Sequence, residues 1–248
     1  MKATLEVPID CLQAAQIAAP YADRLELCED LSSEGWSPTV QLVRAVRHAT
    51  STTIVAMIRP RVAGAITELI PQAFHATTAV MQASLREIDL YAKAGAHSVA
   101  IGLIDGDGHI DIDACTRLRD AALQHNLVVA FLRTFDLLSD RSRGVRDLTA
   151  LGITRVVTAG VRGWNADALP LLQRIEVIRE DMRSAHDEAL RRSCTAVEIV
   201  AAGGVRSHNA HAWLQATPHV HASCRSGHKM DDAEITLLHR AAHASQSI

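Results

Sequence analysis

Short apolar runs of strand length alternate with amphipathic stretches of helix length along the chain, and this alternation limits the fold more than any single motif. The runs predict strands over 4–9, 23–28, 53–59, 97–102, 127–133, 154–159, 196–202 and 219–223. The stretches between them predict helices near 11–19, 39–49, 76–95, 111–125, 141–151, 165–192, 206–216 and 231–243. Such alternation builds βαβ units and a parallel sheet. Eight units in 248 residues favour closure into a (β/α)8 TIM-type barrel, for which about 250 residues is typical. No Gly-x-Gly-x-x-Gly follows the first run, which argues against a dinucleotide-binding sheet. No linker or low-complexity tract interrupts the pattern, so residues 1–248 are expected to form a single domain.

Four of the runs end in polar or charged residues: Leu25-Glu26-Leu27-Cys28, Val55-Ala56-Met57-Ile58-Arg59, Val129-Ala130-Phe131-Leu132-Arg133 and Val220-His221-Ala222-Ser223. In a parallel barrel the strand C-termini converge on one face, where ligands sit. Side chains alternate across a strand with period two. Parity therefore turns Leu5, Val7 and Ile9 towards the helices and Glu6 and Pro8 inward. It likewise points Arg24, Glu26, Cys28, Met57, Arg59, Thr158, His219, His221 and Ser223 inward, and leaves only Ala100 and Gly102 from the fourth strand, which suggests open space there.

The interior is thus expected to be charged, with Glu6 and Glu26 near Arg24, Arg59 and Arg133. Buried charges cost several kcal/mol each unless they are paired or meet a ligand. One reading is a structural ion-pair cluster; the other leaves Arg59, Arg133 and Arg61 free to hold an anion, which the planar guanidinium grips with two parallel bonds. Ala202-Gly203-Gly204-Val205 follows the seventh strand and is expected to open a helix. Glycines there let backbone N–H groups approach a negative ligand. Ser223 ends the neighbouring strand, and barrel enzymes often build a phosphate site from these two loops.

Acid–base chemistry needs a carboxylate or imidazole at the mouth, for which Asp136 and His221 are candidates. Glu6 and Glu26 lie deeper, where burial raises and Arg24 lowers their pKa. Cys28 is the candidate metal ligand or nucleophile, because a thiol near Arg59 would ionise more readily. His219, His221, Cys224 and His228 lack a standard zinc spacing, as do His208 and His211, and are read mainly as structural or surface residues.

The bulk properties exclude several classes. A net charge of −3 without a basic stripe disfavours nucleic acid, and aromatics at 3% leave few stacking platforms. No run reaches the roughly 18 apolar residues of a membrane span. The first residues run directly into a strand pattern rather than a secretory leader, so a cytoplasmic location is expected. Five scattered cysteines without a Cys-x-x-Cys pair read as free thiols of a reducing compartment. The stretch from Arg174 to Arg192 is charge-rich and is expected to be a solvated helix face, and 60–76 is a long loop suited to a lid or dimer contact.

The segments Leu5-Glu6-Val7, Ala22-Asp23-Arg24-Leu25-Glu26-Leu27-Cys28, Gly35-Trp36-Ser37-Pro38-Thr39, Met57-Ile58-Arg59-Pro60-Arg61 and Arg133-Thr134-Phe135-Asp136 together resemble a known family. Val157-Thr158-Ala159-Gly160, Gly203-Gly204-Val205-Arg206 with Asn209, and Val220-His221-Ala222-Ser223 continue the match. In order and spacing the chain resembles the CutC copper-homeostasis family over nearly its whole length. That resemblance implies a TIM-type barrel, a cytosolic location, homodimers or higher homo-oligomers, and a link to copper handling, with copper(I) on family cysteines. The chain departs from the pattern at Pro8, where the family commonly has Cys, at Leu132, where it has His, and at Val62-Ala63, where it is Gly-rich. The departures leave Cys28 as the main inherited metal candidate. The retained charged set, Glu6, Arg24, Glu26, Arg59, Arg61, Arg133 and Asp136, fits a small anion better than stored metal.

Overall fold

A computed structural model describes residues 3–244 of the chain. Eight parallel strands close in sequence order: β1 (Thr4–Ile9), β2 (Arg24–Leu27), β3 (Thr53–Met57), β4 (Ser98–Ile101), β5 (Val128–Phe131), β6 (Arg155–Thr158), β7 (Glu198–Ala201) and β8 (His219–His221). The helices α1 (Leu12–Ala18), α2 (Val40–Ala49), α3 (Thr78–Ala94), α4 (Ile112–Gln124), α5 (Arg141–Leu151), α6 (Leu171–Arg192), α7 (Ala210–Leu214) and α8 (Asp232–Ala244) form the outer ring. A two-stranded hairpin, β9 (Arg225–Ser226) with β10 (Lys229–Met230), stands between β8 and α8.

Local sequence fixes where the helices begin. The side chains of Thr39, Thr77, Asp111 and Asp140 each accept a backbone N–H from the first turn of α2, α3, α4 and α5. Such caps contribute about 1 kcal/mol each. Gly95 and Gly152 end α3 and α5 with positive φ, where a side chain would be strained.

Outside β6, parity sorts the strands as the sequence predicts. Leu5, Val7, Leu25, Ile54, Val99, Phe131, Val156, Ile199 and Val220 are buried in one core between barrel and helices. Inside the barrel a second apolar group, Cys28, Val55, Met57, Ala100, Ala130 and Leu132, fills the half below the β2–β5 mouth. Charge fills the other half: Glu6 lies opposite Arg24 on one side and His221 on the other, and Arg155 lies opposite Glu198.

Four expectations are corrected. The space foreseen above β4 is filled, since a Cβ on Gly102 would collide with Thr134 Oγ1 and Leu132 Cβ. The helix foreseen from 165 starts at Leu171, behind Pro170, which sets its first turn. Its charged stretch is not wholly solvated, because Arg174, Asp181 and Glu188 are buried. The helix foreseen over 206–216 is only the short α7, so Gly203 and Gly204 open a loop and not a helix.

Candidate functional site

The strand C-termini surround a cavity of about 880 Å³ lined by Pro8, Glu26, Cys28, Leu132, Arg133, Gly203, Gly204, Arg206, His221, Ser223 and Arg225, among others. That volume lies in the range of small-molecule sites, about 300–1,000 Å³.

Its floor is a relay of buried charge. Arg155 Nη1 donates to Glu6 Oε2 at 2.6 Å, and Glu6 Oε1 lies 2.9 Å from His221 Nδ1. His221 Nε2 in turn lies 3.8 Å from Glu26 Oε2. The two carboxyls meet opposite fates. Burial alone would raise Glu6, but Arg155 and the His221 ring outweigh it and hold its carboxyl well below the usual range. Burial pushes Glu26 up to about 7, with attraction to His221 only partly opposing it and Glu6 adding repulsion. Burial likewise lowers His221, yet its bond to Glu6 and the field of Glu26 leave it raised overall. Glu6 is therefore a permanent anion that orients the ring, whereas Glu26, facing the cavity, changes charge near neutrality. Carboxyls driven apart in this way mark acid–base pairs.

The rim opposite has a different chemistry. Arg174 Nη2 donates to the carbonyls of Ala202 and Gly203, and Asn209 Nδ2 donates to that of Gly204. A trans peptide points its C=O and N–H in opposite directions, so the N–H groups of Gly204 and Val205 turn away from Arg174 and Asn209. Gly203 and Gly204 take φ of +72° and +94° to allow this path. Among the described residues no protein acceptor takes the N–H of Gly203, Gly204 or Val205, nor does the Ser223 hydroxyl have a partner. Arg206 stands beside them, donating from Nη1 to the Arg225 carbonyl at 3.0 Å and, among the described residues, paired with no carboxylate.

Several predicted residues stand elsewhere. Arg24 sits at the N-terminal end of the barrel, bonded to Thr4 Oγ1 and Glu198. Glu6 does not line the cavity but lies one layer below it. Arg59 follows the end of β3 and leaves the barrel, stacking between Trp36 and Phe74. Arg61 is exposed and paired with Asp30 at 2.7 Å. Thr158 faces α5 and α6, where its hydroxyl donates to Asp136 Oδ1 at 2.5 Å. Asp136 is itself buried, accepting from Arg133, Arg141, Thr158 and the Ala159 N–H, so it ties the β6 loop down instead of meeting solvent. Arg133 lines the mouth but is held by Asp136, by the Trp164 carbonyl and by Glu34 at 3.7 Å. The reading of Cys28 as an activated thiol is corrected: burial, with Glu26 and Asp10 adding to it and Arg225 only partly opposing, raises its pKa well above the usual value.

Parity on β6 misled at one point. Taking Thr158 as the inward residue hid Arg155 and Val157, which are the inward pair. Starting the parity from Val156, the apolar residue that packs on the helices, would have found Arg155. Arg174 and Arg206 carry no local signal that separates them from surface arginines.

The family model described as CutC matches residues 3–226. The chain belongs to the CutC family. It is 33% identical over 172 residues to the copper homeostasis protein cutC homolog of Homo sapiens, an alignment spanning 69% of this chain and 59% of the human protein. The protein of the same description from Mus musculus is 28% identical over 251 residues, covering 98% of this chain and 83% of its own length. A family protein CutC of Vibrio atlanticus is 29% identical over 228 residues, covering 92% and 83%. Among solved structures, the putative copper homeostasis protein CutC from Streptococcus agalactiae superposes with a TM-score of 0.73 at 22% identity, covering 89% of this chain and 98% of that one. A 3-hexulose-6-phosphate synthase superposes at 0.64 with 20% identity, covering 96% and 99%. Both likenesses speak for the barrel alone.

The mouth of this CutC protein departs from a cysteine-rich copper site. Cys28 is its one thiol, and burial raises that thiol's pKa. Pro8 and Leu132 offer no ligand atom, so the Met57 thioether and the His221 and His228 rings are the other soft or borderline donors in its lining. Among the described residues no three His, Cys, Asp or Glu side chains are grouped to share a metal. No helix among them is long and apolar enough to cross a membrane.

Proposed function

We propose that this chain serves copper homeostasis as a cytoplasmic, single-domain barrel that handles a small organic anion, with acid–base chemistry at Glu26 and His221, and not as a copper store at Cys28. The observation that carries this reading is the split pair of carboxyls around His221. Glu6 fixes the ring through Nδ1 at 2.9 Å, and Glu26, pushed up to about 7, exchanges a proton with the ligand. A general acid or base works best with a pKa near the working pH. The anionic end of the ligand, a phosphate or carboxylate, is received by the free N–H groups of Gly203, Gly204 and Val205, the Ser223 hydroxyl and Arg206. Donors aimed in advance at such an anion lose little on binding. The copper link rests on the names of the relatives. Homo-oligomer formation rests on family resemblance.

A thermal-shift screen of simple phosphate esters and small carboxylic acids tests the binding step. Each stabilising compound is then incubated in D2O and followed by NMR. The reading expects deuterium to enter the compound with the wild-type chain and not with Glu26→Gln. Exchange at the same rate in both proteins, or stabilisation untouched by Arg206→Ala, would reject it.

A further inference from the structure

We infer that the chain carries a second ligand site, separate from the barrel mouth, in which Arg59 receives the carboxylate of a short aliphatic acid under the 60–76 loop. Arg59 is 5% exposed, and its guanidinium stays charged although burial lowers its pKa. Its Nη1 donates to the carbonyls of Gly35 at 3.0 Å and Ser33 at 3.4 Å. Nε and Nη2 are both buried and both without a partner. Those two donors share the side edge of the guanidinium, the edge that grips a carboxylate with two parallel N–H bonds. Among the described residues no carboxylate occupies it. Glu34, the one acid that partly offsets its charge, pairs with Arg133, and Arg61 is taken by Asp30.

Buried guanidinium donors without acceptors are costly, and a buried unmatched charge more so. Stacking softens that cost: the guanidinium carbon lies 4.1 Å from the Trp36 ring centroid and 5.0 Å from that of Phe74. Rings stabilise the cation but accept no in-plane N–H, so the edge still calls for oxygen.

Arg59 also walls a cavity of about 130 Å³; its Nε and Nη2 are themselves closed to water, so a carboxylate in the cavity reaches them through a small shift of the loop wall. The rest of that cavity is mostly apolar, with Ile58, Val62, Ile66, Phe74 and Leu103 among its residues. A space of that size suits a carboxylate with a few carbons. One unmatched cation matches a monoanion, so a carboxylate fits better than a phosphate dianion. The outer wall is the loop that turns at Val62–Ala65 and holds Gly64 at φ +76°. The loop residues Ala63 and Gly64 are exposed, and this is the side from which a ligand would enter. Phe74 lines both this cavity and the mouth and divides them.

Isothermal titration with sodium butyrate, with butyramide as the uncharged isostere, tests the site. The inference expects butyrate to bind and butyramide not to bind. Arg59→Lys keeps the charge but loses the side-edge fork, and is expected to weaken butyrate at least about tenfold. Ala73→Leu keeps Arg59 and fills the cavity, so it serves if Arg59→Lys folds poorly; it is also expected to abolish binding. Arg206→Ala, which removes the cation proposed to hold an anion at the mouth, is expected to bind butyrate as the wild type does, which separates this site from the mouth. Absence of butyrate binding, equal binding of butyramide, undiminished binding in Ala73→Leu, or loss in Arg206→Ala would each overturn it.

Discussion

Replacing Glu26 with Gln tests the electrostatics of the barrel floor without changing its shape. The native carboxyl is shifted from 4.5 to about 7 because burial, against the pull of His221, penalises the charged form. A carboxyl whose folded pKa is raised favours the fold while protonated, and that contribution is lost as pH rises from the unfolded value through the folded one. The window is therefore about 4.5 to 7, and above it the wild type holds a buried charge that unfolding would relieve. A shift of that size corresponds to about 3 kcal/mol. Glu26→Gln has no charge to relieve. Its stability relative to wild type is expected to rise by about 3 kcal/mol between about pH 4 and about pH 9. In a chain of this length that is a change of about 6–12 °C in the Tm difference. Thermal unfolding by circular dichroism at matched ionic strength measures it. A Tm difference that stays constant across that range, or moves the other way, would refute the assignment of Glu26 as the group that titrates near neutrality.

Other consequences follow from the same geometry. Glu6→Gln removes the buried anion of Arg155 and leaves it to the partly exposed Glu198 at 3.0 Å. It is expected to destabilise by up to about 3–5 kcal/mol, and adding Arg155→Met should recover much of the loss in urea unfolding. Cys28→Ser is expected to leave copper(I) affinity, measured by competition with a chromophoric chelator, unchanged; a clear drop would restore the thiol as a ligand. Arg174→Met frees the Ala202 and Gly203 carbonyls and should weaken any phosphate ester found in the screen while leaving the Glu26 titration in place, read by NMR. Arg206→Ala should weaken the same ester with a reduced dependence on salt, because it removes an unpaired cation from the rim.

The barrel was legible because its rule is local. Period-two alternation along Leu5-Glu6-Val7 or Arg24-Leu25-Glu26 repeats in each βα unit, and the observed strands fall inside the predicted ones. Cys28, His221 and Ser223 could be placed at the mouth by the same parity and Gly203 by its loop, whereas Glu26, expected deeper, lines the mouth as well. Pairing was not legible, since it depends on distance across the barrel. Glu6 meets Arg155, 149 positions away, and not the Arg24 that lies opposite it on β2. Arg59 belongs inward only if β3 runs on, whereas the strand ends at Met57 and the chain turns out to Trp36. Asp136 looked like a mouth acid by its position after Arg133, but the turn over Arg133–Leu137 drives it under the β6 loop.

The central claim is that one carboxyl beneath the mouth is a fixed anion while its neighbour titrates near neutrality. Side-chain carboxyl carbon NMR, with Glu6 and Glu26 assigned by substitution, follows both directly. The account predicts a Glu26 midpoint near 7 and a Glu6 signal that stays that of a carboxylate throughout the range in which the chain is folded. Two ordinary midpoints near about 4.3, or a Glu6 that protonates before Glu26, would contradict it.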